Sequence, residues 1–209
     1  MSIDVPVSDL IQRCRDGDAA AREQLFNRYR HYLWLLAQGQ LGRQLRAKCD
    51  PSDLVQQTLL EAHRDFPQFA GQHEGELLAW MRQILAHNLY NESRRFTVQQ
   101  RDAAREVSLD QLRAGLDHSS AILGRCLAAD TPPPSQAAAQ REAAVRLADV
   151  MARLPEDYRT VLLLRVFEGL SAEEVAERME RSAGAIRMLQ MRALTALRAE
   201  MKTAGLSGV

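Results

Sequence analysis

The sequence predicts an all-α protein: two small helical domains joined by a flexible linker. Apolar residues recur at the three- and four-residue spacing of helix faces along most of the chain. Aromatic residues make up only 5% of it, which argues against a large β-sandwich. Between residues 97 and 139 the apolar pattern thins, Ala, Gln and Ser become common, and the run Thr131–Pro134 (TPPP) blocks regular structure. The helices therefore fall into two groups.

At 209 residues, with 46% hydrophobic content, the chain can bury one sizeable core or two small ones. Its formal net charge is zero, so no global field draws it towards nucleic acid and local charge must do so. Cys14, Cys49 and Cys126 are scattered without Cys-x-x-Cys or zinc-ligand spacing, which points to plain reduced thiols. His118 and Cys126, placed in one loop, are the remaining hint of metal or redox chemistry. No signal-peptide core or long apolar run is present, which points to the cytoplasm and against membrane insertion. The sequence has no nucleophile with a base, paired catalytic carboxylates, metal cluster or phosphate-cradling glycine loop. The expectation is a non-enzyme with no cofactor.

In chain order, Ser8 to Cys14 is a short amphipathic segment with Leu10, Ile11 and Cys14 together, ended by Gly17. Asp18 caps a helix to about Ala37, whose Leu25, Phe26, Tyr29, Leu33, Leu36 and Ala37 face inward, with Tyr32 and Trp34 extending the packing. Asp50 followed by Pro51 starts the next helix, with Asp53 near the positive end of its dipole. Val55, Leu59, Ala62 and Phe66 pack inward there. Asp53, Gln57 and Glu61 repeat every four residues on another face, either solvated or partner-binding. Pro67, Gly71 and Gly75 mark a loop from Phe66 to Gly75.

A helix from about Glu76 to Arg95 buries Leu77, Leu78, Met81, Leu85 and Leu89. Its opposite face carries Gln83, His87, Tyr90, Asn91 and Arg94, with Trp80 at the margin. A ring, a cation and hydrogen-bonding groups suit the unstacked bases of a single strand, and equally an ordinary wet face. In the linker, Val107, Leu109, Leu112 and Leu116 support a helical turn or two.

A helix resumes from about Ser135 to Arg153, with Val145, Leu147, Ala148 and Met151 inward. Pro155 begins another, with Tyr158, Leu162, Val166 and Phe167 at core spacing, ended by Gly169. Ser171 and Glu174 then form a capping box for a short helix with Val175, Ala176 and Met179 inward. After a polar break at Glu180 and Arg181, Ser182 caps a longer helix whose stripe is Ile186, Leu189, Ala193, Leu194 and Leu197. Two helices and a tight turn make a candidate helix-turn-helix. At about 100° per residue, Gly184, Arg187, Met188, Met191 and Arg192 point away from the stripe, where a major groove could receive them. Gln190 falls beside the stripe as a packing flank. The arginines suit guanine edges or phosphates, and the methionines suit thymine methyls or sugars. From 181 to 202 five cations stand against Glu200 alone.

The order and spacing of DPSDLVQQT (Asp50–Thr58), LLAWMRQILAHNL (Leu77–Leu89), LPEDYRTVLLLR and the following LSAEEVAERMERSAGAIRMLQMRAL resemble a known family. From Asp9 to Lys202 the chain is similar to bacterial RNA polymerase sigma factors of the extracytoplasmic-function (ECF) type, which keep only the second and fourth conserved sigma regions. The resemblance implies a region 2-like domain over residues 1–96, a linker over 97–139, a region 4-like domain over 140–202 and a tail over 203–209. It implies core RNA polymerase as partner, through the β′ clamp and the β flap, together with promoter DNA. Sequestration by an anti-sigma factor is common in such proteins.

By the same resemblance, Asp53, Gln56, Gln57 and Glu61 would contact the β′ clamp. The Phe69–Glu76 loop would capture a flipped base of the minus-ten element, and Trp80, Gln83, His87, Asn88, Asn91 and Arg94 would hold the melted strand. Ser182, Gly184, Arg187, Met188, Met191 and Arg192 would read the minus-thirty-five duplex, and the linker would run through polymerase towards the RNA exit. Two rival readings predict different behaviour. A stand-alone helix-turn-helix regulator would bind operators as a dimer, though no dimerisation heptads are evident. A helical protein-interaction adaptor would not need its recognition-helix arginines.

Overall fold

The computed structural model describes residues 5–41, 49–100, 108–127 and 136–206. Among the described residues all regular structure is helical, and the chain divides into two compact units, Met1–Asp117 and His118–Val209. No helix among them is long and apolar enough to cross a membrane.

The first unit opens with α1 (Val7–Arg15), α2 (Ala19–Arg28) and α3 (Arg30–Gln40). Asp18 caps α2 as expected, accepting the Ala21 N–H at 2.9 Å. The single helix expected from Asp18 to Ala37 is instead two. Tyr29 leaves helical geometry (φ −102°, ψ 1°) while its ring stays buried, and the joint lets α2 pack on α1 while α3 packs on the two helices that follow. These are α4 (Pro51–Asp65), capped by Asp50 on the Ser52 N–H at 2.8 Å, and the long α5 (Glu74–Gln100). A 3-10 turn at Phe66–Gln68 and a short loop join them. The core is made by Leu10, Leu25, Phe26, Tyr32, Leu36 and Leu77, each essentially solvent-free. Each buried leucine or phenylalanine contributes roughly 1.5–3 kcal/mol.

α6 (Leu109–Leu127) replaces the turn or two expected in the linker. Its start is a capping box: the Ser108 hydroxyl accepts the Gln111 N–H at 3.1 Å, and the Gln111 side chain accepts the Ser108 N–H at 3.0 Å. Leu112, Leu116 and Leu123 are buried along it. The division between the two units falls within this helix, between Asp117 and His118. His118 is an exposed helical residue, not part of a loop. Val107, Thr131–Pro134 and the side chain of Cys126 lie outside the described residues. Cys14 and Cys49 are buried free thiols, and burial pushes both up from the ordinary thiol value.

In the second unit α7 (Gln136–Ala152) precedes α8 (Glu156–Leu162), which widens into a π-turn at Leu163–Phe167. The Glu168 N–H reaches back five residues to the Leu163 carbonyl at 3.2 Å. That wider turn rotates Val166 outward, so the residue expected in the core is 38% exposed. α9 (Ala172–Met179) and α10 (Ala183–Thr203) complete the unit, with α10 packed on α7, α8 and α9. Of the stripe expected on α10, Ile186, Leu189 and Ala193 are buried and Leu194 and Leu197 half-buried, while Met201 extends it.

Candidate nucleic-acid interface

Three surfaces hold the residues singled out by sequence. On α4, Asp53, Gln56 and Gln57 are exposed. The Gln57 amide donates to Glu61 Oε1 at 2.7 Å, and the other Glu61 oxygen accepts from Asn88 Nδ2 at 3.2 Å. The same Asn88 nitrogen reaches the Thr58 hydroxyl at 3.1 Å, and that hydroxyl donates to the Leu54 carbonyl at 2.7 Å. Asn88 is only 8% exposed. Expected among the strand-holding residues, it is instead a buried tie between α5 and α4, because its amide is used by two α4 side chains.

Asp53, Gln57, Glu61, Asn88 and Asn91 line a groove of about 480 Å³. Gln56 lies on the other side of α4, in a groove of about 500 Å³ beside Arg22, Leu60 and His63. The four expected α4 contacts thus divide between two faces. Leu60, 58% exposed, was missed by the sequence reading. The signal was available: it is the leucine of α4 out of phase with the Val55, Leu59, Ala62 and Phe66 stripe. Beside it, His63 packs its ring 4.4 Å from Phe26, and burial followed by the Arg22 charge holds it below the ordinary imidazole value.

On α5, Gln83, His87, Asn91 and Arg94 share exposure. The Arg94 guanidinium lies over the Tyr90 ring at 5.8 Å, forming a cation beside an aromatic face. His87 Nδ1 sits 2.8 Å from the Gln83 carbonyl, so that nitrogen carries the proton and Nε2 faces outward. Trp80 is half-buried, its ring tilted against Phe69 at 5.0 Å between centroids and edge-on to Phe66 at 6.4 Å. Its ring therefore also backs the loop that precedes α5.

In the second unit the predicted capping box of α9 is present, with Ser171 accepting the Glu174 N–H at 3.1 Å and Glu174 accepting the Ser171 N–H at 2.7 Å. α9 ends at Glu180 in the left-handed region (φ 54°), where the Arg181 N–H returns to the Ala176 carbonyl at 2.9 Å. Ser182 then caps α10 through the Ala185 N–H at 3.2 Å.

Gly184, Arg187, Met188, Met191 and Arg192 stand on the exposed face of α10, Met188 and Met191 at 52% and 65% exposure. A Cβ at Gly184 would meet nothing within 4 Å, so no packing demand explains glycine there. Arg187 Nη2 pairs with Glu173 of α9 at 2.6 Å. Gln190 is a packing flank as expected, accepting from Arg165 Nε at 3.1 Å while Arg165 also donates to the Leu170 carbonyl. The exposed face of α10 thus sets two methionines between two arginines, on a helix held by its neighbour.

Known proteins resemble this chain over most of its length. The ECF sigma factor family matches residues 5–204. The chain is 29% identical over 184 residues to the ECF RNA polymerase sigma-E factor of Haemophilus influenzae, covering 88% of this chain and 89% of the relative. It is 26% identical over 188 residues to the RNA polymerase sigma-H factor of Pseudomonas aeruginosa, covering 90% of each. A solved flagellar sigma/anti-sigma complex, Sigma-28/FlgM, contains a chain 18% identical to this one at TM-score 0.34, with 89% of this chain and 97% of that chain covered. With the family match running through both helical units, the chain belongs to the ECF sigma factors, the non-catalytic initiation factors that bind RNA polymerase and direct it to promoters.

Proposed function

We propose that the chain divides promoter recognition between its two units, with α10 reading the minus-thirty-five duplex and α5 holding the melted minus-ten strand. The observation that carries this reading is the α10 face. Arg187, Met188, Met191 and Arg192 project from a helix whose N-terminus is already capped and whose opposite side is buried. On α5, Gln83, His87, Asn91 and Arg94 supply edge contacts and charge. Asn88 and Trp80 support that face from within, and the loop after Phe69 receives a flipped base.

Docking on the β′ clamp falls to α4, through Asp53, Gln56 and Gln57 with exposed Leu60 as an apolar anchor, while the second unit meets the β flap. Glu61 acts there as a positioning group, since both its oxygens are engaged. A zero net charge gives free protein little pull on DNA. Attachment to polymerase instead supplies the effective concentration that lets two small surfaces act together. The work is then done where the chromosome is, in the cytoplasm. An anti-sigma factor would act by covering Leu60 or the α10 face.

Mixing the purified protein with bacterial core RNA polymerase and transcribing a pooled promoter library tests the proposal. Co-elution with a selected minus-thirty-five and minus-ten pair is the expected result. Selection of neither element by the co-eluting complex would overturn the division of labour. Tight binding of free protein to a two-fold-symmetric duplex would favour an independent regulator.

A further inference from the structure

The last residue of α1 reaches into the loop between α4 and α5. Arg15 Nη2 donates to the Gly71 carbonyl at 2.6 Å and approaches the Phe69 carbonyl at 3.4 Å, more than fifty residues along the chain. Other contacts hold the same loop. The Glu76 carboxylate accepts the N–H groups of Gln72 at 2.7 Å and His73 at 3.1 Å, which lower it below the ordinary glutamate value. The Tyr29 hydroxyl donates to Glu74 Oε1 at 2.9 Å. The Phe69 ring lies tilted against Trp80 at 5.0 Å. At Gly71 a Cβ would come within 2.5 Å of the Phe69 ring and 2.8 Å of Glu76 Cβ, so the backbone passes too close for any side chain.

The loop is thus built from behind. The carbonyls of Phe69 and Gly71 and the N–H groups of Gln72 and His73 already have partners, while the side chains of Gln72 and His73 are exposed. A base entering this loop meets those two side chains at positions set by the main chain beneath them. A recognition loop fixed in its bound shape discriminates better, because no ordering cost dilutes the difference between right and wrong partners.

We propose that Arg15 is a positioning residue for promoter choice: without touching DNA, it fixes the Phe69–His73 main chain and so sets the preference at the minus-ten base the loop captures. This rests on the base-capture reading of the loop given above. It gives α1 a part in specificity.

The test is transcription by core polymerase carrying the full-length protein on a library randomised through the minus-ten element. The proteins compared are wild type, Arg15→Ala, Arg15→Lys, Gln72→Ala and His73→Ala, with thermal unfolding of each. Arg15→Ala should reduce base preference roughly tenfold at the single position that Gln72→Ala or His73→Ala alters. Preference at minus-thirty-five and affinity for core should stay as in wild type. Arg15→Lys, which keeps one cationic donor, should fall between, and it carries the test alone if Arg15→Ala fails to fold. If the loop variants shift the preference while both Arg15 variants keep the wild-type profile, the role of Arg15 is overturned and base capture stands. An even loss at every promoter position would reduce Arg15 to a stabilising residue. If neither loop variant changes any minus-ten preference, base capture fails and the proposal with it.

Discussion

The guanidinium of Arg187 has five N–H donors, and Glu173 engages it in a pair with both side chains 63% exposed. An exposed pair contributes at most about 1 kcal/mol, too little to keep Arg187 from a guanine edge. Arg187→Ala should therefore weaken transcription from promoters with the selected minus-thirty-five sequence by roughly 1–3 kcal/mol equivalent, read as relative output across the library. An equal loss on every upstream sequence would show phosphate contact instead. Replacing thymine by uracil in that element removes only methyl groups, so it should lower output with wild-type protein and have less effect with Met191→Ala; equal effects on both would exclude the methionine contact. The exposure of Arg187 and Met191 was legible from helical periodicity, because their angle from a local apolar stripe decides it. The burial of Asn88 was not, since Thr58 and Glu61, which occupy its amide, lie about thirty residues away on another helix.

At the scale of elements, the caps carried the most information. Asp18, Asp50, Ser171 and Ser182 each start a helix where the sequence placed it, because a capping side chain bonds N–H groups two or three residues on and needs no tertiary partner. Ser108 and Gln111 offered the same signal for α6 and were passed over beside the sparse apolar residues around them. The break at Tyr29 was hidden for a different reason: one unbroken stripe cannot reveal that its two halves pack on different neighbours. Asn88 ties α5 to α4, so Asn88→Ala should cost about 1–3 kcal/mol of stability by removing the amide donor from the buried Thr58 hydroxyl and from one Glu61 oxygen. Chemical denaturation of the full chain measures it, and an unchanged midpoint would show that water replaces the amide. Asn88→Asp should be worse, placing a second carboxylate against Glu61.

For the molecule as a whole, acid is the revealing condition. Asp18, Glu76 and Glu174 each sit below their ordinary carboxylate values, chiefly because backbone N–H groups bond them. A depressed native value means the stabilisation is complete above the ordinary range, near pH 5, and drains away as pH falls through the lower native values. Thermal stability should hold from neutrality to about pH 5 and decline below about pH 4, with Glu76→Gln and Glu174→Gln each flattening the decline. An equal slope in both variants would assign the acid response elsewhere. The turn at Glu180 has a different kind of consequence. Its left-handed backbone joins α9 to α10, and each of those helices brings its own serine cap. The exposed α10 residues proposed to face the groove all lie beyond that joint. On the proposed reading, the stretch from Ser182 onward is in effect a cassette: exchanged for another helix with the same inward stripe, it would redirect the protein to a different set of genes while leaving the α4 docking face as it was.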